Sequence, residues 1–267
     1  MKTTIVAEPG CTHEGKLAAL LLMIEMAADA GCTAFKSQWM SDPGEVCRRR
    51  NAPDYRPFYE WLSYPIAWHE QMAATCAARG LDYACTVYLP QDVATIEPFT
   101  SFYKLSAFEA TSHDLRDKIV KRMTKNTKRL VISLGLGAQK DVVFVDKSLA
   151  KRVTFLRCIS AYPTPMNEMN LATLTTGLHG LSDHTAASDP DSLNVGALAV
   201  ASGATWIERH VRLESCDPKN PDFAVSLGGH QLTEYVRRIR HAETVRGTAK
   251  TTGPERSERK MLQHKAR

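Results

Sequence analysis

The residues of this chain whose types could do chemistry gather at the ends of its β-like runs. In chain order, the C-terminal ends of seven of eight such runs carry Glu8, Lys36, Lys104 with Ser106 and Glu109, Ser133, Ser160 with Tyr162, Ser182 with Asp183 and His184, and His210. Core-facing strand residues should be mainly Val, Ile and Leu, so Lys, Glu and His in such places need partners or a ligand. Any one of them could be structural, a lone histidine above all. Together they point to a site. Two lysines on separate strands, with several Ser hydroxyls, can hold a doubly anionic phosphate and a carboxylate at once. His184 and His210 could present imidazoles to one divalent cation, with water and substrate completing its shell. Glu8, Asp183 and Asp222 are candidates for proton transfer or for gripping hydroxyl groups. The residue types alone thus suggest a metal-assisted reaction on a small, phosphorylated, acidic substrate.

Those ends need elements to position them. The β-like runs are 4–7, 33–36, 83–87, 101–105, 129–133, 153–158, 180–182 and 205–208. Helix-like spacing of apolar residues occupies 16–30, 66–79, 91–99, 113–125, 192–202 and 231–245. Gly31, Gly80 and Gly203 stand where a helix C-cap wants no Cβ. Strand–helix alternation repeated eight times predicts a parallel sheet closed into a (β/α)8 TIM barrel, with the site at the C-terminal ends of the strands. An open doubly wound sheet is the alternative, but no G-x-G-x-x-G turn follows the first strand. Two units are irregular: Val142–Val145 reads as an extra strand, and the sixth helix has room only in 167–176. Residues 39–57 follow the second strand and read as a loop over the site. It is either a solvated surface loop or a place where Arg48, Arg49 and Arg50 receive an anionic group.

A chain of 267 residues suits one such barrel. We expect the barrel over 1–246 and a basic, flexible tail over 247–267. From Arg246 onward there are seven Lys/Arg and two Asp/Glu, which accounts for the whole net charge of +5 and leaves the body neutral. A neutral body argues against nucleic-acid binding. The strongly apolar stretch 17–24 is far short of the ~20 residues that span a bilayer, and no signal-peptide pattern opens the chain, so a cytoplasmic protein is expected. Seven scattered cysteines without a C-x-x-C pair fit buried thiols in a reducing compartment.

Beyond these inferences, the ordered motifs are similar to those of the N-acetylneuraminate (sialic acid) synthase family. They are Ile5-Val6-Ala7-Glu8-Pro9-Gly10-Cys11-Thr12-His13-Glu14-Gly15, then Ala30-Gly31 with Lys36-Ser37-Gln38, and Tyr103-Lys104-Leu105-Ser106-Ala107-Phe108-Glu109. Ser160-Ala161-Tyr162-Pro163-Thr164-Pro165, Gly180-Leu181-Ser182-Asp183-His184-Thr185 and Ile207-Glu208-Arg209-His210 follow, so that the resemblance spans residues 4–245. It implies that Lys36, Lys104, Ser133, Ser160, Tyr162 and Ser182 bind phosphoenolpyruvate. It further implies that His184 and His210 ligate a divalent metal (Mn2+ or Mg2+), that Glu8 lies beside the reacting carbons, and that Gln38, Glu109 and Asp222 surround the acceptor sugar. In such chemistry C3 of phosphoenolpyruvate attacks an open-chain aldehyde, water adds at C2, and phosphate leaves.

Some positions depart from the family pattern. Ala107 stands where the family usually has Ser, with Ser106 beside it as a substitute. Ser133-Leu134-Gly135 replaces a common S-T-G, and Ser160 a common Asn. Family members also commonly continue into a small antifreeze-like domain that reaches over a partner's site, whereas this sequence stops in what resembles the linker to it. The expectation is therefore a barrel without that domain, acting on small molecules, with a homo-oligomer possible. An N-acylhexosamine or related aldose is the leading acceptor. The alternatives are a phosphorylated aldose, as in deoxy-ulosonate phosphate synthases, or a barrel that keeps the site without turnover.

Overall fold

Eight short strands, buried along nearly their whole length, close the chain into a cylinder. The computed structural model describes residues 2–138, 147–248, 257–258 and 261–262. Its strands are β1 (Thr4–Glu8), β2 (Ala34–Trp39), β3 (Asp82–Val87), β4 (Phe102–Leu105), β5 (Arg129–Leu134), β6 (Val153–Cys158), β7 (Gly180–Asp183) and β8 (Trp206–His210). All pair in parallel in sequence order, and β8 returns to β1 with Val6 opposite Glu208 and Glu8 opposite His210. The expected (β/α)8 barrel is the observed one.

Because side chains alternate across a strand, one set of residues fills the lumen and the other faces the helices. The lower lumen is an apolar plug of Val6, Ala34, Ala84, Phe102, Val131 and Leu156 with Trp206 packed on it. Gly180 makes room there: a Cβ would lie 2.0 Å from the Trp206 carbonyl oxygen, and without one the indole meets the Phe102 ring edge-on at 5.1 Å. Two residues further along seven of the strands the lumen turns polar, with Glu8, Lys36, Thr86, Lys104, Ser133, Ser182 and Glu208, all buried, and Cys158 at the same level on β6. The outward set, including Ile5, Phe35, Leu105, Ile132 and Ile207, forms the larger core with the helices.

That outer ring comprises α1 (Leu17–Asp29), α2 (Pro43–Arg50), α3 (Arg56–Leu62), α4 (Trp68–Ala78), α5 (Asp92–Ile96), α6 (His113–Met123), α7 (Ser192–Ala201) and α8 (Gly229–Arg246). The stretch expected as a loop over 39–57 is instead largely helical. Asp42 caps α2 by accepting from the Glu45 amide at 2.9 Å, Pro43 opens it, and Asn51 closes it in the left-handed region. In the sixth crossover, two 3-10 turns (Met166–Glu168 and Leu171–Thr176) stand in for an α-helix. The extra strand expected at 142–145, and most of the expected tail, lie outside the described residues.

Candidate active site

The polar layer of the lumen is a network of two lysines and two glutamates. Lys36 forms an ion pair with Glu8, lies 2.9 Å from the Thr86 hydroxyl and 3.9 Å from Glu208. Lys104 donates to the Ser133 hydroxyl at 2.9 Å and lies 3.5 Å from the same Glu208 oxygen, which also accepts from Ser182 at 3.1 Å. Gln38 donates to Glu8. Burial pushes the Glu8 carboxyl up, but neighbouring positive charge, Lys36 foremost, outweighs it and holds the group at about 2. Burial likewise opposes charge on Lys36, yet Glu208 and Glu8 raise its pKa above the ordinary lysine range. Lys36 is thus held in place as an ammonium group, and hydroxyl groups stand beside both lysines. The second Glu208 oxygen is buried without a hydrogen-bond partner among the described residues.

On one side of this floor stand the two histidines. The Nδ1 atom of His184 lies 2.9 Å from the Ile159 carbonyl oxygen. A carbonyl can only accept, so Nδ1 carries the proton and Nε2 keeps its lone pair for the cavity. Burial, then the neighbouring His210, pushes the His184 pKa down to about 4, so the ring is neutral at pH 7. The His210 ring centroid is 5.2 Å away, and its buried Nδ1 has no hydrogen-bond partner among the described residues. Tyr162 stacks on His184 at 4.3 Å. The Tyr162 hydroxyl, at 3.2 Å, and the Ser182 hydroxyl, at 3.5 Å, lie against His184 Nε2 and would have to yield it, but two adjacent imidazoles with lone pairs turned to one cavity fit a borderline divalent cation. No group of three His, Cys, Asp or Glu able to hold a metal occurs among the described residues, so water and substrate would supply the remaining donors.

Most of the expected residues meet around one cavity. Glu8, Lys36, Gln38, Lys104, Ser106, Ser133, Ser160, Tyr162, Ser182, His184 and His210 all line it. Three do not. Asp183 faces away from the lumen and is fully buried. It pairs with Arg209 at 2.7 Å and accepts from the Thr185 hydroxyl at 2.7 Å and the Tyr235 hydroxyl at 2.8 Å. This arrangement contradicts the expectation that Asp183 handles protons or substrate hydroxyls. Its neighbours 182 and 184 face the site, and the period of two sends 183 outward. Glu109 is tied to Arg50 and Ser106 rather than facing the cavity. Asp222 sits one level higher, accepting from the Cys11 amide at 2.8 Å and lying 3.8 Å from His210 Nδ1. Gly10 permits that approach, since a Cβ there would meet Asp222 at 2.1 Å and His210 at 2.8 Å.

Above the floor the cavity opens into a chamber of about 830 Å³ roofed by α2, α3 and the turns between them. Gln38, Ser106, Phe108, Tyr162 and His210 line both spaces. The arginines expected to receive an anion are all engaged by carboxylates: Arg48 by Glu45, Arg49 by Asp114 and Arg50 by Glu109, each at 2.6 Å. Arg50 is further held between Phe108 at 4.4 Å and Tyr88 at 4.8 Å.

Sequence reasoning missed Glu208, Thr86 and Tyr88. Glu208 stands two residues before His210 on one strand, so strict alternation already places both in the lumen. Thr86 is next to last in the third strand, the one strand for which no polar residue had been named. Tyr88 reaches Gln38 with its hydroxyl, a contact that only the folded chain displays.

Comparison with known proteins gives consistent results. A sequence profile of the NeuB family matches residues 23–251. The chain is 27% identical to a pseudaminic acid synthase of Campylobacter jejuni over 271 aligned positions, covering 93% of this chain and 76% of that protein. It is 25% identical to the human N-acetylneuraminate-9-phosphate synthase, covering 91% and 71%. Among solved structures, an N-acetylneuraminic acid (sialic acid) synthetase from Leptospira borgpetersenii superposes with a TM-score of 0.84 at 21% identity, covering 99% of this chain and 91% of that one. Among the described residues, no helix is long and apolar enough to cross a membrane.

Proposed function

We propose, for a chain that belongs to the NeuB family, the condensation of phosphoenolpyruvate with an N-acylhexosamine or related aldose. The product is a nonulosonic acid and the leaving group is phosphate. The observation that carries this reading is the pair of buried lysines on β2 and β4, set in one lumen layer among the hydroxyls of Thr86, Ser133 and Ser182 and beside the two imidazoles. In this reading Lys36 and Lys104 take the carboxylate and phosphate of phosphoenolpyruvate, and the serine and threonine hydroxyls fix their orientation by charge-assisted hydrogen bonds. His184 and His210 would hold a divalent cation, whose chemistry there is polarisation of the acceptor's aldehyde oxygen. Tyr162, stacked on His184, lines the same cavity. Carbon–carbon bond formation joins C3 of phosphoenolpyruvate to the aldehyde carbon. Water then adds at C2 and the C–O bond to phosphate breaks. Glu8 is placed to accept the proton of that water, because an anionic substrate that draws Lys36 away leaves the carboxylate more basic.

Phosphate release from phosphoenolpyruvate, measured across a panel of neutral and phosphorylated aldoses with Mn2+ or Mg2+, tests the reaction. Release dependent on both aldose and cation is expected. No release with any aldose would refute it. The cation site has its own test: His210→Ala should lose Mn2+ binding in calorimetry while unfolding at an unchanged urea midpoint. Unaltered Mn2+ affinity would exclude His210 as a ligand.

A further inference from the structure

We propose that Tyr88 is a positioning residue: its hydroxyl holds the Gln38 amide, and through that amide the Glu8 carboxylate, in place for the step in which water adds at C2. The inference rests on the reaction proposed above and adds a residue to it. Three observations carry it.

The first is a chain of contacts. The Tyr88 hydroxyl donates to Gln38 Oε1, and Gln38 Nε2 donates to Glu8. A carboxyl held at about 2 is an anion that only accepts, so the amide must turn its NH2 to Glu8. Burial, as the leading cause, pushes the Tyr88 phenol well above its ordinary range, so it stays protonated and donates to the amide oxygen. The charge of Glu8 decides which end of the amide faces it. The phenol decides where the amide sits.

The second is placement. Gln38 stands opposite Thr86 in the register of β2 against β3, and Tyr88 follows two residues after Thr86, so alternation carries its ring to the same side one step above the floor. There it is buried with Met40, Val46 and Leu89, and the Arg50 guanidinium, itself engaged by Glu109, lies 4.8 Å from the ring centre. The ring is fixed from the α2 side. Gln38, by contrast, is half-buried and borders both the catalytic cavity and the chamber above it, so an amide released by Tyr88 has open space to swing into. The third is what happens to Glu8 on binding. Lys36 and Gln38 both engage it. An anionic substrate draws Lys36 away, and Gln38 remains to aim the carboxylate that accepts the water's proton.

The test compares Tyr88→Phe, Gln38→Met and the double variant in the full chain, with phosphoenolpyruvate, Mn2+ and the aldose of the panel above that releases most phosphate. Phenylalanine keeps the ring, its packing and its contact with Arg50, and removes the hydroxyl alone. In Tyr88→Phe, kcat should fall roughly five- to tenfold, the worth of one hydrogen bond, while KM for either substrate moves less than about twofold. In the Gln38→Met background the same change should cost less than about twofold, because Tyr88 acts through the amide. A direct contact with the sugar would instead raise the sugar's KM at unchanged kcat, and a general loosening of the fold would cost as much in both backgrounds. Either result overturns the proposal. If the unaltered protein releases no phosphate with any aldose, it is the reaction that fails. The side-chain amide NMR signals of Gln38, identified by their loss in Gln38→Met, then decide the positioning separately: they should move in Tyr88→Phe, and signals that stay in place overturn it.

Discussion

Replacing Arg209 by Met should weaken the fold far more than a change outside the catalytic floor would ordinarily do. Arg209 and Asp183 are both fully buried and face each other across β7 and β8 in the register. The guanidinium contacts the Asp183 carboxylate at 2.7 Å, the Thr185 hydroxyl at 2.8 Å and the Thr185 carbonyl at 2.9 Å. Removing one partner of a buried pair costs about 3–5 kcal/mol, because the other charge is left in the interior. Here Asp183 would keep the Thr185 amide at 3.0 Å and the Thr185 and Tyr235 hydroxyls, so the lower end, about 3 kcal/mol, applies. At roughly 2–4 °C per kcal/mol for a domain of this size, the melting temperature should drop by about 6–12 °C. Urea unfolding at an unchanged slope measures the loss directly. Asp183→Asn in the Arg209→Met background should recover part of it, since it removes the stranded charge. His184 and His210 are the next residues along both strands, so the single variant should also bind Mn2+ more weakly. A cost below about 1 kcal/mol, or no recovery in the double variant, would refute the assignment of this pair as the clamp between β7 and β8.

Two further outcomes follow from the floor and from the buried rings. Lys36→Met should weaken phosphoenolpyruvate binding by at least about tenfold while changing sugar binding little, and equal affinity by calorimetry would remove Lys36 from that role. Burial, as the leading cause, pushes His13, His69 and His184 each from the ordinary 6.5 to about 4. Between those values the unfolded chain binds protons that the folded chain refuses, so stability must fall as pH drops from about 6.5 to about 4. Urea midpoints measured across that window should decline steadily on acidification, and a flat profile would contradict the neutral state of these rings.

Much of the barrel could be read from its sequence because period-two alternation and the intervening apolar helices are local signals. The strands begin within one residue of expectation, and the lumen-facing Lys36, Lys104, Ser182, His184 and His210 were found by reading strand ends. What was misread depended on direction or on partners. Asp183 was grouped with His184 because they are adjacent, although adjacency on a strand sends them to opposite faces. Arg209, its partner, was visible only through the register of β7 against β8. The roof was taken for a loop because it follows the second strand directly. Yet Asp42, Pro43 and Glu45 carry a helix-start signal that composition masks. Nothing local could reveal that Glu109, 59 residues from Arg50, would occupy that arginine's charge.

The four charges of the floor have a thermodynamic consequence. Lys36 and Lys104 are matched by Glu8 and Glu208, so the cup has no formal excess of either sign. It does not draw anions in from a distance, and substrate association should depend only weakly on ionic strength. An anion that does arrive must take the lysines from the glutamates, leaving two carboxylates beside it. A divalent cation brings the same amount of positive charge that those carboxylates lose. Each ligand then makes the other cheaper to accommodate, and reciprocity requires the same factor in both directions: whatever the cation adds to phosphoenolpyruvate affinity, phosphoenolpyruvate adds to the cation's. If the proposed reaction holds, a matched floor of this kind would act as a coincidence detector that engages fully only when both ligands are present.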